Sequence, residues 1–197
     1  MSNNKTKELS KEFWIVLIAI CLFFIVLIGV GFFTFANREK NVIVEEEDAG
    51  KVTLNYSSTT NGLTITKVTP TTDAVGMKSE NYFEFSIKSK LEDDQEVEYE
   101  IAILKNNKKS TIPDDGIKIY LEKEKDGLYT DVFGPDKYEA LKSNTEIGSK
   151  KGEMVIANVS RSESGTDNYR LRIWMSDKCI LEQGDYSVDV NLYAKVK

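Results

Sequence analysis

The sequence contains no histidine, and its 197 residues include only two cysteines. Histidine is the commonest general base and a frequent zinc ligand, so its absence excludes the usual catalytic triads and the common zinc sites. Cys21 lies in an apolar stretch and Cys179 lies far along the chain, so we expect no disulfide between them. The fold must therefore depend on a hydrophobic core.

Basic residues are also in the minority, with 26 Lys and Arg against 32 Asp and Glu and a net charge of −6. Nucleic-acid phosphates would be repelled by such a chain, so we predict no nucleic-acid partner. The acidic turn at Asp114 lacks the spaced oxygen ligands of an EF-hand, and no hydroxyl has an evident activating partner. The sequence predicts no enzyme activity, no catalytic residues, no metal site and no cofactor.

One long apolar run, residues 13–35, carries no charge and is bounded by Glu12 and Arg38. At about 1.5 Å per residue, a helix of this length crosses a hydrocarbon core of roughly 30 Å. A helix also satisfies its own backbone hydrogen bonds in lipid. We predict a transmembrane helix at residues 13–36, with the lipid bilayer as a partner.

The charges that flank this helix predict its orientation. Three lysines lie in the polar head at residues 1–12, whereas only Arg38 and Lys40 follow the helix closely. The positive-inside rule places the head in the cytoplasm and the body outside, as a single-pass protein of the cell membrane. Residues 37–50 contain an acidic run and no proline, and we interpret them as a short stalk.

The body, residues 51–197, shows apolar residues with a period of two, which is typical of half-buried strands. The segments with this pattern, including three weaker ones, are 52–56, 63–69, 82–88, 97–103, 117–121, 154–159, 169–175 and 186–196. Turn sequences such as Asp126-Gly127 separate them. One helical pattern lies at residues 135–142, where Tyr138 and Leu141 can face the core. We predict an all-β body, an antiparallel β-sandwich of the jelly-roll or Ig-like type.

Arg170, Arg172 and Trp174 alternate with apolar residues, so they share the polar face of one predicted strand. Two guanidinium groups beside an indole can hold an anionic or sugar partner. The alternative interpretation is a solvated sheet face that carries an amphipathic aromatic residue. These three residues form the candidate partner-binding surface of the chain.

Several stretches together resemble the TasA/camelysin-like surface proteins of Gram-positive bacteria. The apolar run ends in LIGVGFFTFA at residues 27–36, which looks like the leader of those proteins. The segments that resemble their strands are 63–65, 81–88, 99–101, 169–174 and the last strand, which ends at Val196. The resemblance implies a jelly-roll-like sandwich outside the cell, in a group that includes biofilm matrix fibre subunits, and it implies no catalytic residues.

We therefore predict a non-enzymatic, membrane-tethered protein of the cell surface that makes structural or adhesive contacts in the envelope or a biofilm matrix. Its expected partners are other surface or matrix proteins, or further copies of itself through strand addition at open sheet edges. The alternative is a ligand-binding or accessory sensory ectodomain that acts with a membrane partner.

The apolar run is longer than that of an ordinary signal peptide, so we expect an uncleaved signal anchor. Thr34 and Ala36 provide small residues for cleavage after Ala36, which would instead release a secreted protein. Mass spectrometry of the mature chain should show that the apolar run is retained. An N-terminus at Asn37 would contradict the anchor and support secretion.

Overall fold

The computed structural model describes the backbone of residues 38–45 and 51–58, and both backbone and side chains of residues 61–92, 95–141, 143 and 147–197. The predicted cytoplasmic head, transmembrane helix and cleavage site lie outside the described residues. Within the described part, no helix has the length and apolar character needed to cross a membrane.

The described residues form ten strands in two antiparallel sheets, and residues 39–197 make one compact unit. The strands are β1 (Arg38–Glu45), β2 (Lys51–Ser58), β3 (Gly62–Val68), β4 (Phe83–Lys90), β5 (Val97–Lys105), β6 (Ile117–Lys125), β7 (Leu128–Lys137), β8 (Met154–Arg161), β9 (Gly165–Met175) and β10 (Gly184–Val196). The six-stranded sheet has the order β1-β2-β4-β9-β6-β7, and the four-stranded sheet has the order β3-β10-β5-β8. The prediction of an all-β body with antiparallel strands is thus confirmed.

Alternation along the strands builds one hydrophobic core from both sheets. On β4, Phe83, Phe85 and Ile87 are buried while Glu84 and Lys88 are exposed, as their period of two predicts. The apolar face of β10 is buried in the same way, beginning at Tyr186. Burial of each large apolar side chain contributes about 1.5–3 kcal/mol, so these alternating faces provide the main driving force for folding.

The turn between β6 and β7 shows how sequence dictates local structure. Lys125 pairs with Leu128, so Asp126 and Gly127 form a two-residue hairpin loop. Both loop residues have positive φ, 54° and 80°, as a type I′ turn requires. Asp tolerates this conformation and glycine adopts it without steric cost, so the predicted turn is confirmed.

The helix predicted at residues 135–142 is wrong. Strand β7 continues to Lys137, and only one 3₁₀ turn follows, at Tyr138–Ala140. Gly134, with φ of 84°, shifts the register against β6 and lies where a side chain would collide with the carbonyl of Ile119. Tyr138 and Leu141 are nevertheless both buried, so the prediction that they face the core is confirmed.

Two elements of the structure were not predicted from the sequence. Strand β1 occupies Arg38–Glu45, inside the segment interpreted as a stalk, so the six-stranded sheet begins before residue 51. A single helical turn, α1, spans Asp73–Gly76 and follows β3. No periodic pattern predicts a helix this short, because a single turn is stabilised by its tertiary contacts rather than by its own sequence.

Replacement of Val190 by Asp tests the core face of β10. Val190 is 1% exposed, so the variant would bury an unpaired carboxylate and should lose several kcal/mol, roughly 3–5, of unfolding free energy. Urea denaturation followed by circular dichroism measures the loss. The control is Thr166→Asp at an exposed strand position, where we expect a change within about 0.5 kcal/mol. Unchanged stability of the Val190 variant would contradict the core assignment.

Candidate functional site

The three residues of the candidate surface lie on β9, between β4 and β6 in the six-stranded sheet. Their side chains alternate with the buried core residues Leu171 and Ile173, so they point away from the core. Antiparallel register sets their neighbours on the adjoining strands, with Arg170 opposite Glu84 of β4, Arg172 opposite Tyr120 of β6, and Trp174 opposite Lys118 of β6.

Arg170 is the most accessible of the three, with its side chain 27% exposed. Its guanidinium carbon lies 3.7 Å from the centroid of the Tyr129 ring and 4.6 Å from that of Tyr82. The Tyr129 hydroxyl donates a hydrogen bond of 2.9 Å to Glu84, whose carboxylate is 3.5 Å from the guanidinium. The stacked rings and the carboxylate therefore hold one partly exposed cation in a fixed position.

Arg172 is buried and makes internal contacts instead. Its Nε–H donates to the backbone carbonyl of Ser79 at 2.8 Å, and its Nη1 forms an ion pair with Glu122 of β6. The ring centroid of Tyr82 lies 5.0 Å from its guanidinium carbon. This arginine fastens the segment before β4 to the outer side of the sheet.

Trp174 is also buried, because α1 lies on its indole. A Cβ atom at Gly76 would fall 2.2 Å from the indole ring, so only glycine permits this approach. Tyr120 contacts the indole edge-on, with 6.5 Å between ring centroids. Hence this end of the face is covered by the chain's own segment rather than solvated, and only Arg170 offers a guanidinium to a partner.

The tyrosines of this surface are weak acids. Burial, followed by hydrogen bonding to Asp131, raises the pKa of Tyr120 to about 12. Burial and the hydrogen bond to Glu84 likewise raise the pKa of Tyr129 to about 12. Both phenols stay protonated at neutral pH, so the arrangement favours binding through stacking and charge over proton transfer. Across the described residues, no group of three or more acidic or cysteine side chains is placed to hold a metal ion.

A buried polar cluster around Asp167 was not predicted from the sequence. Its carboxylate accepts a 2.5 Å hydrogen bond from the Tyr99 hydroxyl and lies 2.7 Å from Arg161 and 2.9 Å from Lys123. The Tyr99 and Tyr169 hydroxyls are hydrogen-bonded to each other at 2.7 Å. Burial favours the neutral acid, but these hydrogen bonds and cations outweigh it and hold the pKa of Asp167 below its ordinary 3.8.

A second unpredicted cluster covers the outer side of the four-stranded sheet. Glu100 lies between the apolar residues Tyr99 and Ile101, and a period of two would place it on the polar face of its strand. It is nevertheless fully buried, and its Oε1 accepts a 2.6 Å hydrogen bond from the backbone N–H of Ser149. Glu153 is buried beside it and accepts hydrogen bonds of 2.9 Å from Asn191 and Tyr193. These contacts fasten the segment 147–153 onto β5 and β10.

Comparison of the chain with protein-family models, with curated proteins and with solved structures gave no match.

Asp167→Asn should remove a pH-dependent part of the stability. At pH 7 the variant leaves Arg161 and Lys123 without their carboxylate, and we expect a loss of about 2–4 kcal/mol. Because the folded-state pKa is depressed, the contribution is complete above about pH 3.8 and is lost as the pH falls through the lower, folded-state pKa.

Urea denaturation at pH 7, 5, 4 and 3 measures this difference. The difference between the unfolding free energies of the wild type and Asp167→Asn should shrink between pH 4 and pH 3. The control Asp177→Asn removes the same charge from an exposed position and should change stability by less than about 0.5 kcal/mol. A difference that is constant with pH would contradict the role given to the carboxylate.

Proposed function

We propose that the chain is a non-enzymatic, membrane-tethered protein of the cell surface, whose jelly-roll-like β-sandwich makes structural or adhesive contacts in the envelope or a biofilm matrix. The apolar run at residues 13–35 supports the tether, and the three lysines before it support an outward-facing body. The resemblance to TasA/camelysin-like surface proteins supports the matrix context.

The observation that carries this proposal is the character of β8, an edge strand of the four-stranded sheet. Its sequence MVIANVSR contains no proline, and its only charge is at Arg161, the last residue. A bulge at Ile156 interrupts its pairing with β5, but residues 157–161 keep a regular register. An edge strand presents unpaired backbone groups, and charge, proline or a bulge ordinarily blocks their pairing with another chain. Strand β7, at the edge of the other sheet, has such a block at Gly134 and Pro135.

An open gap lies directly beside β8. Residues 155–158 border a gap of about 320 Å³, and Val132 of β7 lies on its other side. Val132 and Asn158 are both exposed, and Asn158 lies at one end of the border. We infer that contacts between the body and a neighbouring surface protein, or a second copy, form by strand addition along β8.

Asn158→Lys tests this contact in intact cells that produce the full chain. A lysine on the open edge disfavours pairing with another strand, so cross-linked complexes with copies of the chain or with matrix proteins should fall roughly fivefold. Mild cross-linking, pull-down and mass spectrometry measure the yield. The matched control is Thr166→Lys, an exposed position on β9, which has a strand on either side.

Equal cross-linking yields for Asn158→Lys and Thr166→Lys would contradict strand addition at β8. Recovery of a transporter or kinase at fixed stoichiometry, in place of matrix proteins or copies of the chain, would instead support the sensory alternative.

A further inference from the structure

A groove of about 770 Å³ lies beside β3, a volume within the range of small-molecule sites. Its walls are β3, the segment 69–81 and the end of β9, and the backbone N–H of Thr71 holds that segment to Met175 with a 2.9 Å hydrogen bond. The apolar part of the lining includes Ile65 and Ile173, which belong to the core, and the buried indole of Trp174. The groove therefore offers a preformed apolar surface that continues the core outward.

The charge of the groove is opposite to that of the whole chain. Lys67 and Lys78 line it, and none of its other described lining residues is an aspartate or glutamate, although the net charge of the chain is −6. Within the part of the chain that the structure describes, neither ammonium group lies within 4 Å of a carboxylate, whereas several other lysines do. An apolar groove with two cations that form no ion pair is complementary to a molecule that carries both an apolar body and a negative charge.

The backbone holds Lys67 in an unusual conformation, with φ of 51°. Its N–H donates a 2.7 Å hydrogen bond to Asp185, and its carbonyl accepts one of 2.9 Å from Gln183. The two contacts come from Asp185, at the start of β10, and from Gln183, just before it, and they hold both the N–H and the carbonyl of Lys67. Positive φ at a residue other than glycine is uncommon and is maintained only where surrounding contacts determine it.

The wall opposite β3 is formed by α1. Gly76 lies against the indole of Trp174, which fixes the helix close to the sheet. Val75 is 60% exposed and lines the groove, together with Ala74. An exposed valine at the opening of an apolar groove gives a bound molecule further surface from which water is excluded.

We propose that this groove binds a small amphiphilic anion, a molecule with an alkyl body of medium length and one carboxylate head. The alkyl body lies over Ile173 and Trp174, and the carboxylate is neutralised by the ammonium groups of Lys67 and Lys78. A neutral amphiphile would gain only the apolar contact, and a cationic one would be repelled. Such a ligand would suit the alternative function, a ligand-binding or accessory sensory ectodomain, and its binding does not depend on strand addition at β8.

Quenching of Trp174 fluorescence by 8-bromooctanoate tests the proposal. The chain has two tryptophans, so the full chain with Trp14→Phe, placed in phosphatidylcholine nanodiscs, reports on Trp174 alone. We expect saturable quenching, because the bromine of a bound chain would contact the indole. The uncharged 8-bromo-1-octanol has the same chain and quencher and should bind more weakly.

The decisive comparison is between two double variants that have the same net charge. The test variant is Lys67→Gln/Lys78→Gln, and the control variant, also at exposed lysines, is Lys88→Gln/Lys108→Gln. Loss of the groove pair should raise the dissociation constant for 8-bromooctanoate roughly fivefold to tenfold, whereas the control pair should leave it unchanged. Circular dichroism confirms that both variants fold. Quenching that does not saturate, or that is equal in both variants, would overturn the proposal, because partition into lipid alone would explain it.

Discussion

The placement of the two sheets relative to each other depends on one buried charge, the carboxylate of Asp167. An ion removed from water costs several kcal/mol unless it is paired and hydrogen-bonded, and Asp167 receives both kinds of contact. Tyr99 comes from the four-stranded sheet, as does Arg161, whereas Lys123 comes from the six-stranded sheet. The carboxylate thus fixes how the sheets are placed relative to each other, which apolar contacts alone, being non-directional, specify less strictly.

The outer side of β9 joins the candidate surface to the groove. Trp174 belongs to both, because α1 covers its indole and the groove runs along the same helix. Arg172 holds the residues that follow α1, because its Nε–H donates to the carbonyl of Ser79. Trp174 and Arg172 therefore connect α1, the groove and the segment before β4 through groups that are in direct contact.

Local sequence patterns predicted the strands, whereas contacts between distant residues were not predictable. The apolar residues at every second position predicted β4 and β10, because one face of each strand packs on the core and the other does not. Strand β7 was missed because Gly134 and Pro135 interrupt its alternation. Burial of Arg172 was not predicted because the covering residue, Ser79, lies 93 positions away in the sequence.

The position of β10 has a consequence for how the chain acquires its structure. This strand lies between β3 and β5, yet it is synthesised after both of them and after β8. Until it arrives, β3 has no neighbour within its sheet, and β5 can pair only with β8. Most native contacts of this sheet join residues far apart in sequence, which makes folding slow and leaves apolar strands open meanwhile. A ribosome that still holds residues 184–196 therefore holds a chain that cannot finish folding, and chaperones can bind its unpaired strands until that segment is released.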